Sequence, residues 1–225
     1  LGAPGGNLLI DCSPDFRTQM LRERLGIVHA ALFTHSHADH LHGLDDLRLF
    51  PHYTGEPVPL YCEEPVENRI RAAFDYAFRP PVSSEASLPQ LTFRRLTLKP
   101  FEALGLQVQP IRLKHGAMDV LGFRFGNLAY CTDVNHIPEE SLSLLQDLDV
   151  LILDCLRPKP HPSHFHVDAA VEMATRLNAK RTIFTHISCK LDHDLVNGQL
   201  PDRMELGHDG LRVSLKPELH YRQDA

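Results

Sequence analysis

The sequence predicts an α/β fold built in layers, and three observations carry that prediction. Short apolar runs of strand length alternate with segments of helical periodicity along the whole chain. These runs close repeatedly on Asp or His, as expected where a ligand site lies beyond the carboxyl ends of the strands. The composition, 225 residues with 43% hydrophobic and 23% charged side chains and a net charge of −6, is that of an ordinary soluble globular chain. A chain of this length can bury a core without help from disulfides or metals.

Each element follows in order. Residues 2–6 read as a turn running into a buried strand at 8–10. Residues 14–25 read as a helix, with Ser13 as N-cap and Pro14 at the first position, where its missing N–H costs nothing. Residues 30–33 form the next buried strand. In 65–78, Val66, Ile70, Ala73, Phe74 and Ala77 recur at helical spacing, and Pro80-Pro81 stops the segment. Residues 79–90, rich in Pro and Ser, read as a surface loop. Residues 91–98, 106–113 and 121–125 are strand-like, and the last returns through Gly126-Asn127 as a hairpin into the strand 128–131. Buried strands at 150–153 and 181–184 flank a helix at 167–177, whose Val167, Ala170, Val171, Ala174 and Leu177 share one face.

Composition also excludes function classes. An acidic balance without a Lys/Arg cluster argues against nonspecific nucleic-acid binding, which depends on neutralising many phosphates. The five cysteines are scattered, with no CxxC pair, so a disulfide framework is not expected. No apolar run approaches the ~18 residues of a membrane span, and residues 1–7 lack the basic and apolar regions of a signal peptide, so the cytoplasm is the expected location. The anomaly is histidine, 15 of 225 residues, most of it beside predicted strand ends.

The strands close on Asp11, Thr34-His35, His115, Thr132-Asp133, Asp154 and Thr185-His186. The densest element is Thr34-His35-Ser36-His37-Ala38-Asp39-His40-Leu41-His42-Gly43. A buried strand delivers the chain to a point where His35, His37, Asp39 and His40 converge. Two histidines at i and i+2 in extended backbone point the same way and suit one ion, leaving Asp39 and His40 to face a neighbouring one. A solvated His-rich loop is the alternative, but it would need neither the buried strand before it nor the carboxylate within.

The motif HxHxDH after a strand resembles the metallo-β-lactamase superfamily. The longer stretch THSHADHLHGLDDLR resembles its phosphodiesterase branch, of which phosphoribosyl 1,2-cyclic phosphate phosphodiesterase of the carbon-phosphorus lyase pathway is typical. LLIDCSPDFRTQ, the KHG at His115, YCTDVNHIPEE, LDCLRPKPHPSHFHVDAA, and FTHIS followed by LDHDLVN match in the same order over nearly the whole chain. The resemblance implies a four-layer αββα sandwich as a single hydrolase domain over residues 1–225, with the first strands of the fold expected to be missing.

It also implies a site. One divalent ion is expected on His35, His37 and His115, a second on Asp39, His40 and His186, with Asp133 bridging. Three protein ligands plus a shared carboxylate leave each ion an open position, as a catalytic site requires. Imidazole and carboxylate without thiolate suit zinc or manganese. Asp11 and Asp154 are expected to orient ligating imidazoles through their other nitrogen, with turn hydrogen bonds as the competing role. His164 is the implied general acid, while His161 and His166 read as loop or capping histidines. Arg48, Arg157 and Lys159 are candidates for substrate phosphate or for plain ion pairs. Family members often carry a structural zinc on a cysteine-rich loop and a His; the corresponding position here is Cys189. The other four cysteines read as small buried residues.

The expected function is a two-metal phosphodiesterase that hydrolyses a small cyclic phosphate ester by attack of metal-bound hydroxide on phosphorus. A tRNA 3′-processing endonuclease shares the metal motifs but usually carries a basic arm. A thioester or lactone hydrolase of the glyoxalase II type leaves the HPSH segment at 161–164 without a task. A metal-sequestering module explains the histidines but not a bridging Asp133. The expected partner is a small phosphate ester, with no membrane or nucleic acid, and a homodimer is compatible with this reading.

Overall fold

Apolar side chains on both faces of the buried runs fix the architecture, because a strand covered on both sides must lie between two layers. In the computed structural model, which describes residues 1–79 and 88–215, Ala30 and Leu32 point toward a second sheet while Ala31 and Phe33 point toward helices. The strands are β1 (Gly2–Ala3), β2 (Gly6–Ile10), β3 (Ala30–Leu32), β4 (Val58–Cys62), β5 (Leu91–Arg95), β6 (Phe101–Ala103), β7 (Leu106–His115), β8 (Met118–Phe125), β9 (Leu128–Cys131), β10 (Val150–Asp154), β11 (Arg181–Thr185) and β12 (Met204–Leu206). The α-helices are α1 (Phe16–Arg22), α2 (Ala38–Leu41), α3 (Pro51–Thr54), α4 (Glu64–Ala73), α5 (Glu139–Leu142), α6 (Val167–Leu177) and α7 (His193–Asn197).

Two sheets result, ordered β1-β2-β3-β4-β5 and β12-β11-β10-β9-β8-β7-β6. From β2 to β5 the first is parallel; the second is antiparallel from β6 to β9 and parallel from β9 to β12. Leu8, Ala30 and Leu32 of the smaller sheet meet Val108, Leu121, Phe123, Leu128, Val150 and Ile183 of the larger. Phe16, Leu41, Val66 and Ile70 cover the outer face of the smaller sheet, and Leu142, Ala170, Ala174 and Leu177 that of the larger. This is the expected αββα sandwich. No helix among the described residues is long and apolar enough to cross a membrane.

The helix expected at 14–25 is shorter, Phe16–Arg22, with Asp15 rather than Ser13 at its N-cap and no side-chain capping bond. The cause lies in neighbouring backbone. Cys12 N–H donates to the His40 carbonyl, Gly43 N–H to the Cys12 carbonyl, and Phe16 N–H to the Ser13 carbonyl, so this stretch is committed to a turn that holds the loop after β3. The segment 65–78 is likewise divided: α4 ends at Ala73, and a 3-10 turn, Asp75–Phe78, follows Phe74. The helix at 167–177 is found as expected. Strand β4 was not foreseen, since Pro59 interrupts its Val58, Leu60, Cys62 alternation. The loop expected at 79–90 falls largely on 80–87, outside the described residues.

Candidate metal centre

Strands from both sheets deliver their carboxyl ends to one edge of the sandwich. Leu121 N–H donates to the Thr34 carbonyl there, at 3.0 Å, joining the sheets. Asp11, Asp133 and His186, just past β2, β9 and β11, all adopt left-handed backbone, with φ of 57°, 50° and 59°. A non-glycine residue in that region is strained, and such strain gathers at functional sites.

The side chains brought together form three groups, two made of the expected ligands and a third that joins His164 to Asp133 and His186. His35, His37, His115 and Asp133 place one potential ligand atom each within 4.8 Å of one another, and so do Asp39, His40 and His186. Asp133 divides its carboxylate between them. Its Oδ2 lies 3.6 Å from His35 Nε2 and 3.8 Å from His115 Nε2, and its Oδ1 lies 3.2 Å from His40 Nε2 and 3.3 Å from His186 Nε2. Asp39 Oδ2 is 3.5 Å from His40 Nε2 and 3.6 Å from His186 Nε2.

Hydrogen bonds around the cluster fix which ring nitrogens face it. Thr34 donates its hydroxyl to Asp11 Oδ2 at 2.8 Å, so at its 2.9 Å contact with His35 Nδ1 it can only accept. His35 therefore carries its proton on Nδ1 and turns the Nε2 lone pair inward, where that atom is buried without a partner. His115 Nδ1 donates to the Ser163 carbonyl at 2.6 Å, and His40 Nδ1 to Asp11 Oδ2 at 2.7 Å. Burial and the neighbouring His40 hold His35 down at about 3, so it stays neutral. Burial also disfavours charge on His40, but its hydrogen bonds to Asp11 and Asp133 outweigh that and raise it to about 10. Burial pushes Asp133 up, yet the hydrogen bond from His40 and the nearby imidazoles hold it well below the usual carboxylate range. The centre thus combines the Asp133 anion and a protonated His40 with the inward lone pairs of His35 and His115, and the orphaned His35 Nε2 has the environment of a ligand awaiting a cation. The donor set, imidazole and carboxylate oxygen, fits divalent metal.

Asp11 takes the role expected for it, orienting His40 directly and His35 through Thr34. Asp154 differs in part. Its Oδ2 accepts from His164 Nδ1 at 3.0 Å and from the backbone N–H of Val134 and Phe165, while its Oδ1 lies 3.7 Å from His186 Nδ1, and neither of those two atoms has a hydrogen-bond partner. His164 is buried and stacks on His186, with ring centroids 4.9 Å apart. Burial disfavours its charge, but the Asp154 hydrogen bond and carboxylate together raise its pKa.

The remaining candidates are placed away from these contacts, except that the His161 ring lies against His164 with centroids 5.0 Å apart. Arg48 pairs with Asp45, Arg157 donates to the carbonyls of Lys159 and Pro160, and Lys159 is exposed. His161 accepts from Ser163 within its own loop, and His166 occupies the N-cap position of α6. All five cysteines are free, and none joins a potential metal group among the described residues. Sequence reading missed Thr34 and Asn135. Asn135 accepts from Gly116 N–H at 2.7 Å and donates to the Pro162 carbonyl at 3.1 Å, tying the His115 and His164 loops together. An Asn two residues beyond Asp133, in a run that leaves a strand, was the available signal.

The family model for the beta-lactamase superfamily domain matches residues 6–187. This chain belongs to the metallo-β-lactamase superfamily. Among solved structures it is similar to a diphosphatase from the PhnP family, with 42% identity, 93% of this chain and 80% of that one covered, and a TM-score of 0.86. Human tRNase Z, short form, shares the fold at 19% identity and a TM-score of 0.68, over 93% of this chain and 88% of that one. An octanoyltransferase of Porphyromonas gingivalis is 34% identical over 211 residues, 93% of this chain. The chain spans only 42% of that relative's length. By fold and family the chain is a metal-dependent hydrolase.

Proposed function

We propose that this chain is a two-metal phosphodiesterase acting on a small cyclic phosphate ester such as phosphoribosyl 1,2-cyclic phosphate. The carrying observation is the divided carboxylate of Asp133, one oxygen toward His35 and His115 and the other toward His40 and His186. His35, His37 and His115 would hold one ion, Asp39, His40 and His186 the other, and Asp133 would bridge. Zinc and manganese both suit these donors. Such a pair supplies a nucleophile at neutral pH and offsets negative charge on a phosphoryl group.

The rest falls to the protein. An alkoxide is a poor leaving group unless it is protonated as it departs. With His164 Nδ1 held by Asp154, the proton available for donation is the one on Nε2, and the neighbouring carboxylate favours the charged imidazolium. The likeness to a diphosphatase at 42% identity supports a phosphorus-centred substrate. The test is a panel: metal-reconstituted protein is assayed on ribose 1,2-cyclic phosphate, 2′,3′-cyclic nucleotides, bis-nitrophenyl phosphate, pre-tRNA and a glutathione thioester. Cyclic phosphates are expected to lead, and turnover confined to pre-tRNA or the thioester would overturn the proposal.

A further inference from the structure

His164 lies in a loop with few means of holding itself. Pro160 and Pro162 bring no N–H, so at each the backbone can be tied only through its carbonyl. The side of His164 toward α6 is well fixed. Asp154 Oδ2 accepts from the ring at 3.0 Å and from Phe165 N–H at 3.1 Å, and Phe165 N–H also donates to the Val134 carbonyl at 2.7 Å. The side toward Pro162 rests on two other bonds. The Ser163 carbonyl accepts from His115 Nδ1 at 2.6 Å, and the Pro162 carbonyl accepts from Asn135 Nδ2 at 3.1 Å.

Asn135 is itself braced from the opposite direction. Its N–H donates to the Lys114 carbonyl at 2.9 Å, Lys114 N–H donates to the His136 carbonyl at 3.0 Å, and its Oδ1 accepts from Gly116 N–H at 2.7 Å. The turn between β7 and β8 lies directly against the loop, since a Cβ built at Gly116 would lie 3.3 Å from Ser163 Cβ. One planar amide therefore serves a donor on one loop and an acceptor on the other, which neither Asp nor Ala can do. Gly116 and Pro162 are both exposed, so water could satisfy either group. What the amide adds is a fixed distance between the end of β7 and the residues just before His164.

On the reading that His164 protonates the leaving alkoxide, we infer that Asn135 is a positioning residue, holding the Pro162-Ser163 backbone so that the His164 ring meets the departing oxygen. Proton transfer is sensitive to such placement, and a shift of about 1 Å can cost on the order of 10²-fold. The test uses two variants. Asn135→Asp keeps the acceptor for Gly116 and loses the donor to Pro162, and Asn135→Ala loses both without adding charge. Each should lower kcat on ribose 1,2-cyclic phosphate about tenfold with KM little changed, and on bis-nitrophenyl phosphate less than threefold. Metal content should match wild type, and hydrogen exchange in the metal-free variants should quicken over residues 161–166. A merely structural defect would slow both substrates alike, because misfolded protein is inactive toward each. If His164→Ala separates the two leaving groups and the Asn135 variants do not, the inference falls and the acid stands. If His164→Ala slows both substrates alike, the acid assignment fails and the inference with it. If no phosphodiester is cleaved, the functional reading fails and exchange decides the placement: quickening confined to 161–166 supports it, and unchanged exchange overturns it.

Discussion

His40 donates from Nδ1 to Asp11 Oδ2 across 2.7 Å, and Asp11 also accepts from the hydroxyl and backbone N–H of Thr34, the residue that fixes the proton of His35. One carboxylate thus orients imidazoles in both halves of the centre. Asp11→Ala should weaken metal affinity about 10- to 100-fold, the usual cost of removing a partner that orients a ligating imidazole. Competition with a chelating dye measures this. Unchanged affinity in a folded variant would remove Asp11 from the design of the site.

Asp133→Ala should cost more than any single histidine, because only Asp133 faces both groups. Wild-type protein reconstituted with zinc or manganese is expected to hold about two ions per chain, Asp133→Ala fewer than one, and His115→Ala about one. Elemental analysis after desalting reads this directly. Zero ions in reconstituted wild type would end the two-metal reading.

Gly43 follows the metal loop where no side chain fits. A Cβ built there would lie 2.0 Å from the Ser13 carbonyl oxygen and 2.9 Å from Phe16 Cβ. Gly43→Ala should destabilise by about 2–3 kcal/mol, the upper range for overpacking. That corresponds to a fall in Tm of roughly 5–10 °C for a chain of this size. Gly26→Ala, which meets nothing within 4 Å, is the control. Equal melting of the two variants would refute the clash.

How far the site could be read in advance follows from the same loop. His35, His37, Asp39 and His40 stand out because polar ligands directly after a buried apolar run need a reason to be there. Asp11, Asp133, Asp154 and His186 stand out because they end similar runs. The left-handed backbone at Asp11, Asp133 and His186 left no mark, since nothing in Asp or His declares a positive φ. Thr34 and Asn135 act through bonds to groups distant in sequence. The start of α1 differs because Ser13 and Pro14 signal a cap locally, while His40 and Gly43 engage the backbone of Cys12 from 28 or more residues away.

Glu67 gives a pH-dependent test away from the centre. Burial raises its pKa, but hydrogen bonds from Arg95 and Arg71 outweigh that and bring it below its ordinary value of 4.5. A depressed carboxyl stabilises the fold above the unfolded pKa and loses that contribution as pH falls through the folded one. Glu67→Gln should therefore be less stable than wild type at pH 7, with the gap closing below about pH 4.5. Urea unfolding of metal-free protein from pH 7 to 3 follows this. A gap that does not change with pH would mean that the carboxylate charge is not what Arg71 and Arg95 contribute to.

His164 is assigned by chemistry that its contacts permit, and the leaving group separates that role from metal binding. Its Nδ1 is engaged by Asp154, and although the ring also groups with Asp133 and His186, the two groups of expected ligands are complete without it. On a ribose phosphate, where an alkoxide must leave, His164→Ala should lower kcat by about 10² to 10⁴. On bis-nitrophenyl phosphate the nitrophenolate departs without a proton, so the same variant should be far less impaired. Loss of a metal ligand would instead slow both substrates together and reduce the ion count. Asp154→Asn should move in the same direction as His164→Ala, because the carboxylate both orients the ring and favours its charged form. His166→Ala, at the N-cap of α6, should show neither signature. If His164→Ala loses metal, or is equally slow with both leaving groups, the ring belongs to the ions and the proton must come from another source.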